Sequence, residues 1–318
     1  MINIYKSYDG QSNSLQEIEN IEAGCWINIV APTNQELSFI SKKTNVPLEF
    51  LRAPLDDEET SRLETEDNNV LVIVDIPFTE MEDNSLTYDS YPLAIIHTEK
   101  EIITVCLKNS KILTDFIDGK VRSFFTFKRS RFILQILYRV ATYYLLYLRQ
   151  IDKKSLMFEK KLHKSMRNRE LILLLSLEKS LVYFSTSLKS NEITLEKMLK
   201  LEFITRYEED KDVLEDVIIE NKQAIEMANI YSNILSGTMD AFASVISTNL
   251  NIVMKLLASV TIVMSIPNMI SGLFGMNVTG IPFAVGSSAF KYGFWAVCAI
   301  VVCICCITII ILNKKDMF

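Results

Sequence analysis

The chain has 318 residues, 49% of them hydrophobic, a net charge of −6 and only 2 histidines. An acidic balance with no basic stripe excludes a nucleic-acid footprint, and the length allows two domains, each with its own core. The charge is unevenly spread: Leu256 to Phe290 and Tyr292 to Asn313 carry none, far more contiguous uncharged sequence than a soluble domain leaves.

The opening run MINIYKSYDG lacks the basic-then-apolar layout of a secretory signal, which predicts that the large front section stays in the cytoplasm. Cys25–Val30, Val70–Ile76, Leu93–His97 and Ile102–Leu107 are β-branched runs bounded by polar or turn residues and read as strands. Between the first two, Thr33–Asn34 carries a capping signal for a short helix, and Pro47 opens another. Residues 1–128 thus read as a small α/β domain whose strand order these patterns do not specify.

Residues 129–250 read as a region of long helices. Phe132–Met166 and Glu170–Ser190 have helical periodicity and flank a strongly basic turn around Lys164–Arg169. A third helix starts near Asp210 and meets no proline before Pro267. Continued to Gly275 it would be roughly 100 Å long, a length that demands lateral packing in a bundle or stalk. Residues 251–318 read as a transmembrane domain with spans at about 252–275 and about 292–313 and a connecting segment at 277–291. The fold class is therefore an α+β membrane protein: a cytoplasmic α/β domain, a helical stalk and two C-terminal transmembrane helices.

Along the last long helix, steps alternating three and four pick out Gly237, Asp240, Ser244, Ser247, Asn251, Met254, Ala258, Thr261, Ser265, Asn268, Gly272 and Gly275. These residues are small or polar almost throughout, while the other faces carry Ile, Val, Leu and Met. A spacing of about 3.5 residues keeps one face aimed at the axis of an assembly. Small residues also let membrane helices approach closely, so a dry packing seam competes with a pore. Asp240 and Asn251, just before the membrane, favour a wet, cation-attracting line. Two spans per chain cannot enclose a hydrated pore, so the pore reading requires a cyclic homo-oligomer in membrane lipid.

Lys255 precedes the first span and Lys314–Lys315 follow the second, while Lys291 is the one charge of the connecting segment. Positive-inside counting places both termini in the cytoplasm, as for a multi-pass protein of the plasma (inner) membrane. Cys25 and Cys106 sit in strand-like runs. Cys298, Cys303, Cys305 and Cys306 lie in the last apolar segment, where packing or lipid-facing thiols are favoured over a metal cluster. His97 and His163 are far apart, and no Gly-rich phosphate loop or nucleophile elbow is present, so no enzymatic activity is expected.

Gly275-Met276-Asn277, after Phe274, closes the first of two C-terminal spans, with Met254-Lys255 one span upstream. Together with Lys179–Phe184 (KSLVYF), this arrangement resembles the CorA magnesium transporter family, over the whole chain in architecture and over Asp210–Phe318 in motif detail. The resemblance implies a funnel-shaped homopentamer whose first span lines the pore, with Gly275, Met276 and Asn277 as the outer selectivity motif. It implies that Asn277 receives hydrated Mg²⁺, which sheds its water reluctantly. By the same resemblance Asn251 lines the pore, Met254 and Leu257 form an apolar constriction, and Asp240 concentrates cations at the inner end. No resident cofactor is implied; Mg²⁺ is the transported ion and a possible regulator, with Co²⁺ or Ni²⁺ as secondary ions.

Two positions depart from the family pattern. Asp216 matches the stalk carboxylate of a regulatory magnesium site between subunits, but its α/β partner position holds Arg52, which suggests a metal-free Arg52–Asp216 ion pair. Asp56, Asp57, Glu58 and Glu59 follow and read as a solvated acidic turn or a displaced site. Val278–Ala289 contains no acid, so electrostatic capture of cations outside is expected to be weak. The alternatives are a zinc transporter of the same architecture, from which the intact tripeptide argues away, and a non-conducting membrane sensor or scaffold.

Overall fold

A computed structural model describes residues 1–8, 15–82, 85–165, 168–276 and 293–315, which divide into two compact units, Met1–Met239 and Asp240–Phe318. In the first unit, strands β1 (Ile2–Ser7), β2 (Leu15–Ile18), β3 (Trp26–Val30), β4 (Arg62–Glu66), β5 (Asn69–Glu82), β6 (Ser85–His97) and β7 (Ile102–Cys106) form one seven-stranded sheet in the order β2-β1-β3-β7-β6-β5-β4. Only the central β3–β7 pair is parallel. The near-continuous apolar runs of β5, β6 and β7 follow from burial of the sheet on both faces.

One face is covered by α1 (Asn34–Thr44) and α2 (Leu48–Arg52). Leu37, Ile40, Phe50 and Leu51 pack there on Ile27, Ile29, Leu71, Ile73 and Ile96. The Thr33 side chain accepts from the Glu36 N–H while Glu36 accepts from the Thr33 N–H, a capping box that fixes the start of α1. On the other face Trp26 is ringed by Phe116, Phe124 and Phe132 at 5.1 to 6.4 Å. These rings come from or near α3 (Lys111–Ile117) and α4 (Arg129–Ser165).

Helix α5 (Asn168–Met198) is apolar and long enough to cross a membrane, yet Leu174, Leu177, Leu181, Phe184, Leu188 and Leu195 bury one face of it against the sheet and α4. Polar contacts set its register. Asn191 accepts from the Asp75 N–H and the Ser61 hydroxyl, and its amide donates to the Asp75 carbonyl. Ser187 and Ser90 hydroxyls meet at 2.7 Å, and the Tyr144 hydroxyl of α4 donates to the same Asp75 carbonyl. Burial pushes the Asp75 carboxyl up to about 6, against a smaller opposing hydrogen bond from Ser187.

After a short α6 (Glu202–Thr205), α7 runs from Glu208 to Phe274 through Pro267. Its first part packs within the same unit through Leu214, Val217, Ala224 and Ala228, with the Asn221 amide donating to the Leu188 carbonyl. The second unit comprises the rest of α7 and α8 (Gly293–Lys314), each long and apolar enough to cross a membrane.

Candidate functional site

Within the second unit, α7 and α8 meet along one face each. On α7, Ser259 is buried and Val263, Ile266, Pro267 and Ile270 are half-buried; on α8, Val297, Val301, Cys305 and Thr308 are half-buried and Leu312 is buried. The Cys305 Sγ lies 4.0 Å from the Val263 carbonyl oxygen. At about 100° per residue, Met254, Ala258, Thr261, Ser265, Asn268 and Gly272 fall on the side of α7 roughly opposite this contact. All of them are exposed, as are Asp240, Asn251 and, flanking the line, Leu257. The polar stripe is therefore the face that the chain's own second helix leaves bare.

The hydroxyls on that face have a defined polarity. Thr261 Oγ1 donates to the Leu257 carbonyl at 2.8 Å and Ser265 Oγ to the Ile262 carbonyl at 2.8 Å. With its proton given to the backbone, each hydroxyl presents lone pairs outward and acts as an acceptor. A hydrated cation turns water hydrogens outward, so a line of acceptors complements it without stripping its shell.

At the C-terminal end of α7, the Gly275 N–H donates to the Ser271 carbonyl at 2.9 Å, and a Cβ on Gly275 would stand 3.2 Å from that oxygen. A larger residue would crowd the last turn. Asn277 and the 277–291 connection lie outside the described residues.

In the first unit, Arg52 ends α2 and Asp216 lies on α7, both exposed. Among the described residues neither joins an ion pair within the chain. In the acidic turn, Asp56 accepts from the Glu58 N–H at 3.1 Å, and Glu59 pairs with Arg62. His97 stacks on Phe203 at 4.3 Å, and burial, aided by the Arg129 charge, holds its imidazole down at about 4, so it is neutral at physiological pH. Burial pushes the Cys106 thiol up to about 12 and raises that of Cys25. Both stay protonated and serve as small apolar core residues.

Sequence reasoning did not single out the Asp75–Asn191 junction, whose members are 116 residues apart. Nor did it single out the α8-packed face of α7, because Ser259, Val263, Ile266 and Ile270 look like any other apolar-helix residues until the partner helix is in place.

The chain resembles known proteins over nearly its whole length. Residues 22–315 match the family described as CorA-like Mg2+ transporter protein. A relative from Methanocaldococcus jannaschii, named cobalt/magnesium transport protein CorA, is 26% identical over 304 residues, covering 91% of this chain and 90% of the relative. The complete structure of the CorA magnesium transporter from that organism superposes with a TM-score of 0.82 at 24% identity, covering 100% of this chain and 99% of the other. The ZntB cytoplasmic domain of Vibrio parahaemolyticus shares the fold at a TM-score of 0.55 and 14% identity over 78% of this chain and 96% of its own. A match over residues 22–315, together with a superposition that includes both units, places this chain in the CorA-like Mg2+ transporter family.

Proposed function

We propose that the chain is one subunit of a Mg²⁺ channel of the plasma membrane, carrying Co²⁺ or Ni²⁺ as secondary ions, with the exposed stripe of α7 lining a shared pore. The observation that carries this reading is the placement of the stripe opposite the α8 contact. In lipid, Thr261, Ser265 and Asn268 would be costly on an outer face. Facing the axis of a ring of identical copies, they meet water and ions instead. The family resemblance supports five copies, and the cobalt/magnesium name of the M. jannaschii relative supports the ion class.

In this reading both termini are cytoplasmic and ions enter at Gly275-Met276-Asn277. There the Asn277 carbonyl accepts hydrogen bonds from the ion's water shell. The ion then descends the acceptor line past Asn268, Ser265, Thr261 and Ala258 to a narrow apolar section at Leu257 and Met254. Asn251 and Asp240 draw it out at the cytoplasmic end. Entry is passive and driven by the membrane potential, which acts twice on a divalent ion.

Arg52 and Asp216, each exposed and without an ion-pair partner in its own chain among the described residues, are proposed to pair across subunits where a regulatory Mg²⁺ would otherwise bridge two carboxylates. An Arg52→Asp variant should then gain activation by internal magnesium depletion. Equal activation of variant and wild type would count against the pair.

The function is tested by Mg²⁺ influx into liposomes holding the purified protein, wild type against Asn277→Ala. Flux in the wild type that disappears in the variant, with the oligomer intact, is the expected result. No flux in either, at low and high internal magnesium, would redirect the assignment to zinc transport and then to a membrane scaffold.

A further inference from the structure

Pro267 lies inside α7, at a position whose N–H would ordinarily donate to the carbonyl four residues back. That carbonyl belongs to Val263, and proline has no N–H to offer it. The Val263 oxygen is also the group that the Cys305 thiol of α8 approaches, at 4.0 Å. Cys305 sits on the half-buried face of α8 with Val301 and Thr308, so the thiol is held toward α7. On the stripe side of the same turn, the Ser265 hydroxyl donates to the neighbouring Ile262 carbonyl at 2.8 Å.

A backbone carbonyl without a partner is costly in the hydrocarbon core, where no water replaces the missing donor. Proline in a helix interior also marks the place where the axis bends. The stretch from Pro267 to Gly275 is eight residues, roughly 12 Å of helix. A change of about 20° at the proline would therefore move the end bearing the tripeptide by roughly 4 Å, more than the width of a water molecule.

We propose that Cys305 is a positioning residue for ion selection: its thiol occupies the carbonyl freed by Pro267 and so sets the direction of the last turns of α7, which lead into Gly275 and Met276. The proposal rests on the conduction reading above. A thiol is a weak donor, which suits a contact that steadies a bend rather than locking it. Among the other thiols of α8, Cys303 and Cys306 are exposed, and the half-buried Cys298 lies seven residues from Cys305, roughly 10 Å along the helix.

Two measurements on the full-length protein in bilayers test it. The first needs no transport. The infrared difference between wild type and Cys305→Ala isolates the S–H stretching band of Cys305, expected at the lowered frequency of a hydrogen-bonded thiol. A band at the free-thiol position overturns the contact.

The second is the Mg²⁺ to Co²⁺ flux ratio. Cys305→Ser, which keeps a donor, should retain the wild-type ratio, whereas Cys305→Ala and the bulkier Cys305→Val should shift it by about five-fold, the scale of one hydrogen bond. In a Pro267→Ala background, where a helical N–H is restored to Val263, Cys305→Ala should add nothing. An unchanged ratio in Cys305→Ala, an equal shift in Cys305→Ser, or an undiminished effect in the Pro267→Ala background each refutes the positioning role. A wild type with no flux at all would instead remove the conduction reading and leave the infrared band to decide the thiol contact.

Discussion

Helices α5 and α8 are both long and apolar enough to span a bilayer, but they are covered to very different extents. The most apolar window of α5 is 39% buried within the chain, against 6% for α8 and for the apolar end of α7. In α5 the buried positions, Leu174, Leu177, Leu181, Phe184 and Leu188, recur at helical spacing and pack on the sheet, and the helix also carries the polar fasteners Ser187 and Asn191. In α8 the apolar residues surround the axis, and only a narrow face meets α7. Apolar surface that the chain does not cover must be covered by lipid or by other subunits. The first unit thus buries a core of its own, whereas the second leaves most of its apolar surface uncovered by the chain.

The sharpest way to break this contrast is to hollow α5. Phe184 is fully buried and meets Tyr144 edge-on at 5.0 Å. Phe184→Ala should cost about 3–5 kcal/mol in denaturant unfolding of the first unit. The neighbouring exposed Val182→Ala should stay within about 0.5 kcal/mol. Equal, small effects would mean that α5 is not seated on the sheet and that its hydropathy has the same meaning as that of α8.

A second expectation concerns the acid beneath α5. The Asp75 carboxyl titrates near about 6 in the folded chain and at 3.8 when free. The folded state therefore holds the proton more tightly than the unfolded state. Its contribution to stability is fully present below pH 4, is lost as pH rises through about 6, and changes no further above that. The loss is about 2–3 kcal/mol at the usual equivalence of pKa and free energy. Asp75→Asn should flatten this part of the stability–pH profile, as read by thermal unfolding from pH 4 to 7. A profile unchanged by the substitution would show that another group carries the slope.

The smallest effect separates the two faces of α7. Thr261→Val keeps shape but removes the acceptor from the stripe and should slow Mg²⁺ flux by about two- to ten-fold, roughly 1 kcal/mol on the barrier. The exposed Ile304 of α8, altered to Val, should leave flux alone. If Ile304→Val impairs conduction as much as Thr261→Val, the stripe is not the conducting face.

Much of the local structure was legible. The Thr33–Glu36 capping box and the starts of the long helices follow from short-range chemistry, and α1, α4 and α7 begin within a few residues of the expected places. The strands Val70–Ile76 and Leu93–His97 were too short as read, being the inner halves of Asn69–Glu82 and Ser85–His97. Pro77 and Pro92 stopped the sequence reading, since proline interrupts a ladder. The sheet tolerates them because β4 pairs with β5 only as far as Ile73, and β7 pairs with β6 only from Leu93. Each proline therefore lies where its strand has a single neighbour. The edge strands Leu15–Ile18 and Arg62–Glu66, and Ile2–Ser7 next to the first of them, escaped notice because half-exposed strands mix polar and apolar residues without a strong period. Likewise α5 continues past Ser190 to Met198, carried by the sheet contact rather than by its own pattern.

By itself, the sequence determined where the chain is free of charge, how long its apolar helices are, and that one line of α7 is small and polar. Each of these is written in contiguous or evenly spaced residues, because the bilayer and the helix period act on neighbours in the chain. The strand order with β3 beside β7, the seating of α5 on Asp75 through Asn191, the α8 contact opposite the stripe, and the meeting of Cys305 with the carbonyl freed by Pro267 were decided only by the tertiary structure. They join groups 42 to 116 residues apart. Such pairings are selected by packing and by the need of each buried polar group for a partner, and no local pattern encodes them.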